Sequence, residues 1–195
     1  MSATRRRRGL LAVWAVLGIL VVGIAALEIA DRRAAPDVGA DTRSLLPVPV
    51  QDLGAIEIAD RGRLHRFERD ASGAWFYHGV HAATEGAHTH VPDPALAARI
   101  ERALAALGRT RVERQFALDR DSAAYGLSPP EIVILVYRRQ QSQPLAQYAV
   151  GTTAPDTASR YVMRVGTPVV ITIPNYQIEN LESLVRAAAE ASAPR

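Results

Sequence analysis

The segment AIEIADRGRLHRFERDASGAWFYH, residues 55–78, decides the fold. In Ala55-Ile56-Glu57-Ile58-Ala59 the two isoleucines share one face and Glu57 takes the other, the period-two pattern of a half-buried strand. Asp60-Arg61-Gly62 makes a tight turn, Arg63 to Arg69 a second strand, Asp70-Ala71-Ser72-Gly73 a second turn, and Ala74 to His78 a third strand carrying Trp75, Phe76 and Tyr77. Three strands joined by turns this short form an antiparallel meander.

Toward the C-terminus, the first cover for such a sheet is a punctuated helix. Asp93 is its N-cap, Pro94 its first helical residue, and Gly108 lies just past its end. Leu96, Ile100, Leu104 and Leu107 form one apolar stripe, while Arg99, Glu101 and Arg102 face water. Thr110 to Phe116 is extended, and Asp119 to Ala124 makes a short helical turn in which Asp121 is a cap. Ile132 to Tyr137 is apolar on both faces and rich in β-branched residues, as a central strand requires. Strands follow at Leu145 to Val150, Tyr161 to Val165 and Val169 to Ile173, and a helix from Asn175 to Glu190 closes the chain with Ile178, Leu181, Leu184 and Val185 on one side. Meander followed by helix occurs twice. The fold class predicted is α+β: a single N-terminal transmembrane helix, then a domain of two antiparallel β-meander plus helix units.

Toward the N-terminus, the decisive stretch is Gly9 to Leu27, nineteen residues without a charge behind Arg5-Arg6-Arg7-Arg8. At about 1.5 Å per residue it reaches roughly 28 Å, close to the hydrocarbon thickness of a bilayer. A cleaved signal has an apolar core of about 7 to 15 residues and a small-x-small cleavage site. This core is longer, and Ala25-Ala26 before Leu27-Glu28 is a poor site, so a retained anchor is the reading. The four arginines keep the N-terminus in the cytoplasm, since Arg32 and Arg33 beyond the helix are accompanied by Glu28 and Asp31. The expected organisation is a cytoplasmic basic tail at 1–8, a transmembrane helix at 9–30, a proline-containing linker at 31–52 in which Leu45 and Leu46 dock on the domain edge, a periplasmic domain at 53–190, and a tail at 191–195. The expected location is a bacterial inner membrane, single-pass.

Charge and cysteine content narrow the function. Without Arg5 to Arg8, nineteen basic residues stand against twenty acidic ones, so the exported portion has no basic field for nucleic acid. All 23 basic residues are arginine, which is read as genome composition. There is no cysteine, hence no disulfide and no thiolate metal site. No G-x-S-x-G elbow, H-E-x-x-H, phosphate loop or dinucleotide fingerprint is present. Asp119, Asp121 and Glu131 around Tyr125 read as cap and solvated carboxylates, and Arg109, Arg111, Arg114, Arg138 and Arg139 as exposed cations paired with acids.

Trp75 after a Gly-containing turn, the capped helix from Pro94, Tyr125-Gly126-Leu127 with Pro130 three residues on, the strand ending at Gly151 and the strand start Tyr161-Val162 together resemble the bacterial domain family of unknown function DUF4340. The resemblance runs from about Leu53 to Ala189. It implies an N-terminal membrane helix, an exported domain and an accessory role, some family members occurring beside ABC-type transport components linked to gliding motility. It carries no catalytic residues.

One cluster has chemistry of its own. His78, His81, His88 and His90 fall within thirteen residues, and neutral imidazole is a good ligand for Zn(II) or Cu(II). Glu85 and Asp93 add oxygen donors or hold a ring nitrogen by a hydrogen bond, and Gly79 and Gly86 let the loop fold back. Against this stands a solvated loop that merely tolerates histidine, and a third reading makes the clustered imidazoles a pH sensor. His65, alone on a strand, reads as a hydrogen-bonded edge residue. The function expected is a non-enzymatic, membrane-anchored periplasmic accessory subunit. Its partners are the lipid bilayer and an integral membrane protein, with no nucleic acid and no obligatory cofactor. The alternative is a Cu or Zn module built on the four histidines.

Overall fold

A computed structural model describes residues 43–80, 93–119 and 121–191. The expected basic tail at 1–8, the expected membrane helix at 9–30, the first part of the expected linker and nearly all of the expected tail at 191–195 lie outside the described residues. Among the described residues no helix is long and apolar enough to cross a membrane.

The element order is β1 (Leu53–Asp60), β2 (Arg63–Arg69), β3 (Trp75–Val80), α1 (Pro94–Gly108), β4 (Arg114–Ala117), β5 (Ile132–Arg138), β6 (Ala146–Thr153), β7 (Ser159–Arg164), β8 (Val169–Pro174) and α2 (Asn175–Ala191). This is an α+β fold. The two meanders predicted from the sequence are halves of one eight-stranded antiparallel sheet in the order β3-β2-β1-β5-β6-β7-β8-β4. They fuse because β1 and β5 pair along their whole length, from Leu53 opposite Arg138 to Asp60 opposite Ile132. The extended stretch after α1 becomes β4, which crosses to the far edge and pairs with β8.

Both helices cover the same face. Ile56, Phe67, Val136 and Ile173 from the sheet share one core with Ile100 and Leu104 of α1 and Ile178 and Leu181 of α2. Each such side chain, withdrawn from water, contributes about 1.5 to 3 kcal/mol. The α1 cap is as the sequence requires: the Asp93 carboxylate accepts hydrogen bonds from the amides of Ala95 and Leu96, each at 2.9 Å. Gly108 differs, being the last helical residue rather than the one beyond it. A Cβ there would stand 2.2 Å from Cγ2 of Val50, so its missing side chain makes room for the incoming chain.

That incoming chain, residues 43–52, is the C-terminal part of the stretch read as a linker, and it belongs to the body. Leu45, Leu46 and Val48 are buried in the main core. The Leu45 amide donates to Thr110 O at 3.1 Å, the Val112 amide to Arg43 O at 2.7 Å, and the Tyr148 hydroxyl to Leu45 O at 2.7 Å. Burial of that hydroxyl pushes the Tyr148 pKa up to about 12, with Arg164 acting weakly in the other direction. The prolines that suggested a spacer, Pro47 and Pro49, instead keep the segment extended while its apolar side chains reach inward. Truncating Leu46 to Ala is expected to cost about 2 to 4 kcal/mol in urea unfolding, the range for a buried leucine. A cost below about 0.5 kcal/mol would mark the segment as a loose spacer.

Candidate functional site

The opposite face of the sheet is divided. Over β4, β6, β7 and β8 it is capped by Leu118 and the turn around Tyr125, where Tyr125 and Leu127 pack on Ala149 and Val170 with Phe116, Tyr161 and Met163 around them. The Tyr125 ring stands edge-on to Tyr161 at 5.0 Å between centroids, and its hydroxyl donates to Asp119 Oδ1 at 2.8 Å. Asp119 is exposed, as its reading as a solvated carboxylate expects, and also serves as the partner of Tyr125. Asp121 caps the short 3-10 turn Ser122–Tyr125, as the sequence reading has it.

The Tyr-Gly-Leu element explains itself in this cap. Gly126 ends the turn at φ +69°, in left-handed backbone that favours glycine, and a Cβ on Gly151 would lie 2.1 Å from Tyr125 O. Thr152 Oγ1 donates to the same carbonyl at 3.2 Å. The motif therefore clasps the cap to β6.

Over β1, β2, β3 and β5 the same face is polar. Glu57, only 9% exposed, accepts from Arg66 Nη1 at 2.7 Å and from the Tyr137 hydroxyl at 2.5 Å. Arg66 also donates through Nε to Glu68 Oε2 at 2.8 Å, and its guanidinium lies 5.3 Å from the centre of the Tyr137 ring. Burial would raise the Glu68 pKa, but the hydrogen bond and charge of Arg66, reinforced by His78, hold it below the ordinary carboxylate value. Burial opposes the Arg66 charge as well, and its bonds to Glu68 and Glu57 overcome that and raise its pKa. The Tyr137 pKa is pushed up to about 12, first by burial and then by the Glu57 carboxylate.

His78 stands at the rim of this network. The β2–β3 register slips between Arg66 and Phe67, which leaves His78 as the extra residue of a β-bulge, and its Nδ1 lies 3.5 Å from Glu68 Oε2. His81, His88 and His90, the other three ligands expected from the sequence, and Glu85 lie outside the described residues. Among the described residues, no group of three or more His, Asp or Glu side chains is arranged to hold a metal ion. His65 is not an edge residue. It lies in β2 between two strands, 3% exposed, on the helix-covered face, with Nδ1 2.8 Å from the Tyr77 hydroxyl.

Beside the polar network lies a cleft of about 530 Å³ where the ends of β1 and β2 meet the β5–β6 connection, lined by Arg66, Glu68, Arg69, Asp70, Arg138 and Arg139 among others. The sequence read Arg138 and Arg139 as exposed and acid-paired. Arg139 is exposed and Arg138 half-buried, and neither has an acidic partner among the described residues. The missed signal is the pair of consecutive arginines at a strand end, which alternation sends to different faces but a following turn brings to one rim.

Residues 88–190, just over half of the chain, match the sequence pattern of DUF4340, a domain of unknown function. The chain belongs to the DUF4340 family. The matched stretch contains α1, the whole of the second meander and α2, and it begins after β1 to β3, which the resemblance read from the sequence had included. Tyr125-Gly126-Leu127, inside the matched stretch, is thus a structural clasp, and the polar network of Glu57, Arg66, Glu68 and His78 stands in the part preceding the match. No curated protein and no solved structure matches the chain.

One consequence of His65 is measurable. Burial lowers its pKa from the ordinary value of about 6.5, Asp60 acting to raise it and Arg63 to lower it. The folded state resists the proton that the unfolded chain accepts. The His65 contribution to stability is therefore full above about pH 6.5 and declines as pH falls from there toward the folded-state pKa. Urea midpoints between pH 7.5 and 5.5 should fall less steeply for His65→Gln than for the parent protein. Equal slopes would show that His65 does not carry this effect.

Proposed function

We propose that this DUF4340 protein is a non-enzymatic, single-pass accessory subunit of a bacterial inner-membrane complex, with its N-terminus cytoplasmic and its α+β domain in the periplasm, in contact with an integral membrane partner. The observation that carries the reading is the fastening of residues 43–52 into the core. An anchor at 9–30 is followed by only twelve residues, 31–42, which span at most about 43 Å even fully extended. From Arg43 onward the chain has no hinge: Leu45, Leu46 and Val48 tie it to α1 and the sheet. A domain held that way is confined near the bilayer surface, which raises its effective concentration toward membrane partners and suits a fixed subunit better than a diffusing carrier. The polar half of the sheet, left without a covering helix, provides the surface for contact.

The test is purification of the tagged full-length protein from its own membranes in a mild detergent, after an alkaline wash that strips peripheral proteins. The protein should remain with the membrane, and an integral membrane protein should co-purify with it in fixed ratio. Release by the wash, or isolation alone, overturns the reading.

A second reading keeps the histidine cluster as a Cu or Zn module, and one observation favours it. His78 is seated by a bulge with Glu68 beside its Nδ1, the arrangement in which a carboxylate orients a ligating imidazole. His81, His88 and His90 would complete the site from the adjoining loop. Calorimetric titration of the full-length protein with Cu(II) and Zn(II) should give a dissociation constant below about 10 μM that is lost when the four histidines are replaced by Ala. Weaker binding, or binding unchanged in the variant, removes this reading.

A further inference from the structure

We infer that the cleft between the ends of β1 and β2 and the β5–β6 connection is a binding site for a phosphate group. It takes in four arginines, Arg66, Arg69, Arg138 and Arg139, against two carboxylates, Glu68 and Asp70. The carboxylates are already committed. Glu68 is taken by Arg66 at 2.8 Å, and Asp70 Oδ1 accepts from Ser72 N at 2.8 Å, Ser72 Oγ at 2.6 Å and Ala74 N at 3.0 Å within its own turn. Arg66 is likewise spent on Glu57 and Glu68.

That leaves Arg69, Arg138 and Arg139 as the charge the cleft offers. Arg69 is held in place: its guanidinium stacks 4.4 Å from the centre of the Trp75 ring, Nη1 donates to Gly73 O at 2.5 Å, and the exposed Glu101 reaches Nη1 only at 3.9 Å. The Nε atoms of Arg69 and of Arg138 are both buried without a hydrogen-bond partner. Buried, unpartnered guanidinium donors are costly unless an acceptor joins them. Burial lowers the Arg69 pKa, Glu101 acts to raise it, and Arg139 lowers it further, as expected for two cations sharing a rim without an anion between them.

Phosphate fits this donor set better than a carboxylate does. With the Glu57 carboxylate that shares Arg66 counted, the groups at the cleft carry a surplus of about one positive charge, which attracts the roughly −1.5 to −2 of a phosphomonoester at neutral pH, and its three terminal oxygens can accept from several guanidiniums at once. The cleft's 530 Å³ exceeds what the group alone needs and leaves space for the organic part of an ester. The phosphate can come from a small soluble ester or from a lipid headgroup, and the experiment separates the two.

The full-length protein in neutral detergent is titrated calorimetrically with inorganic phosphate, with dihexanoyl phosphatidic acid, and with dihexanoyl phosphatidylcholine as control. The same titrations are run on Arg138→Gln/Arg139→Gln and on Arg139→Gln alone, whose side chain is exposed and whose loss leaves the core intact. Thermal unfolding of each variant verifies the fold. Expected is binding of phosphate, phosphatidic acid or both below about 1 mM, at least tenfold weaker in both variants. Binding of phosphatidic acid alone identifies a lipid headgroup, and binding of both identifies the phosphate group itself. No binding of either, equal binding of phosphatidylcholine, or undiminished binding by a folded Arg139→Gln overturns the inference.

Discussion

The β1–β5 ladder is the pairing on which the rest of the structure depends. Alone, each meander would leave the edge strand that now forms the joint unpaired. Joined through β1 and β5, they make one apolar surface wide enough for α1 and α2 side by side. The register of that joint is specified twice. On the helix side, Ile56 stands opposite Val136 and Ile58 opposite Ile134. A slip of one residue would turn these isoleucines to the other face and carry Glu57 into the apolar core. On the other side, Glu57 finds Arg66 directly across β2 and Tyr137 on β5, so its buried carboxylate is satisfied in one register only. A buried charge that loses its partner costs several kcal/mol, and this converts the network from decoration into a lock on three strands.

The two halves of the uncovered face use different physics for the same purpose. Over β4 and β6 to β8, aromatic rings and a clasped backbone exclude water, and Tyr125-Gly126-Leu127 supplies the clasp. Over β1 to β3 and β5, salt-bridged side chains satisfy one another and leave the surface open at its rim. The apolar half is closed, and the polar half is where His78, Glu68 and the arginine-lined cleft adjoin.

Most of the fold was legible because its signals are local. Alternation in Ala55 to Ala59, glycine turns after Asp60 and Asp70, and the Asp93-Pro94 cap each act within a few residues, and the strands and helices stand where those signals place them. What could not be read was long-range. Nothing in Ile132 to Tyr137 says that its neighbour is β1, seventy-odd residues earlier, and nothing in Arg114 to Ala117 says that it crosses to β8. Leu45 and Leu46 were recognised as able to dock, yet prolines on both sides of Val48 concealed that the whole segment enters the core. For the site, His78 was picked out by crowding, a property of sequence. Glu57, Arg66 and Tyr137 were not, because a glutamate on the polar side of a strand looks solvated until the strands beside it supply a cation and a phenol.

The arginine usage gains a physical meaning at two positions. That all 23 basic residues are arginine reads as genome composition, and across exposed surfaces such as Arg61 nothing more is needed. Arg66, however, donates through Nη1 to one carboxylate and through Nε to another while its plane faces the Tyr137 ring, and Arg69 lies over Trp75 while Nη1 holds Gly73 O. A lysine ammonium is a compact, strongly hydrated charge on a flexible stem, without the planar fork that lets one side chain do both. The flat, weakly hydrated guanidinium is what allows Arg66 on the polar face and Arg69 beside Trp75 on the helix side to be partly buried while charged. Arg66 is committed to Glu57 and Glu68, and the cations beyond it, Arg69, Arg138 and Arg139, have only the exposed Glu101, 3.9 Å from Arg69 Nη1, as an acidic partner among the described residues. The pairing that locks the sheet thereby leaves three arginines gathered at its end.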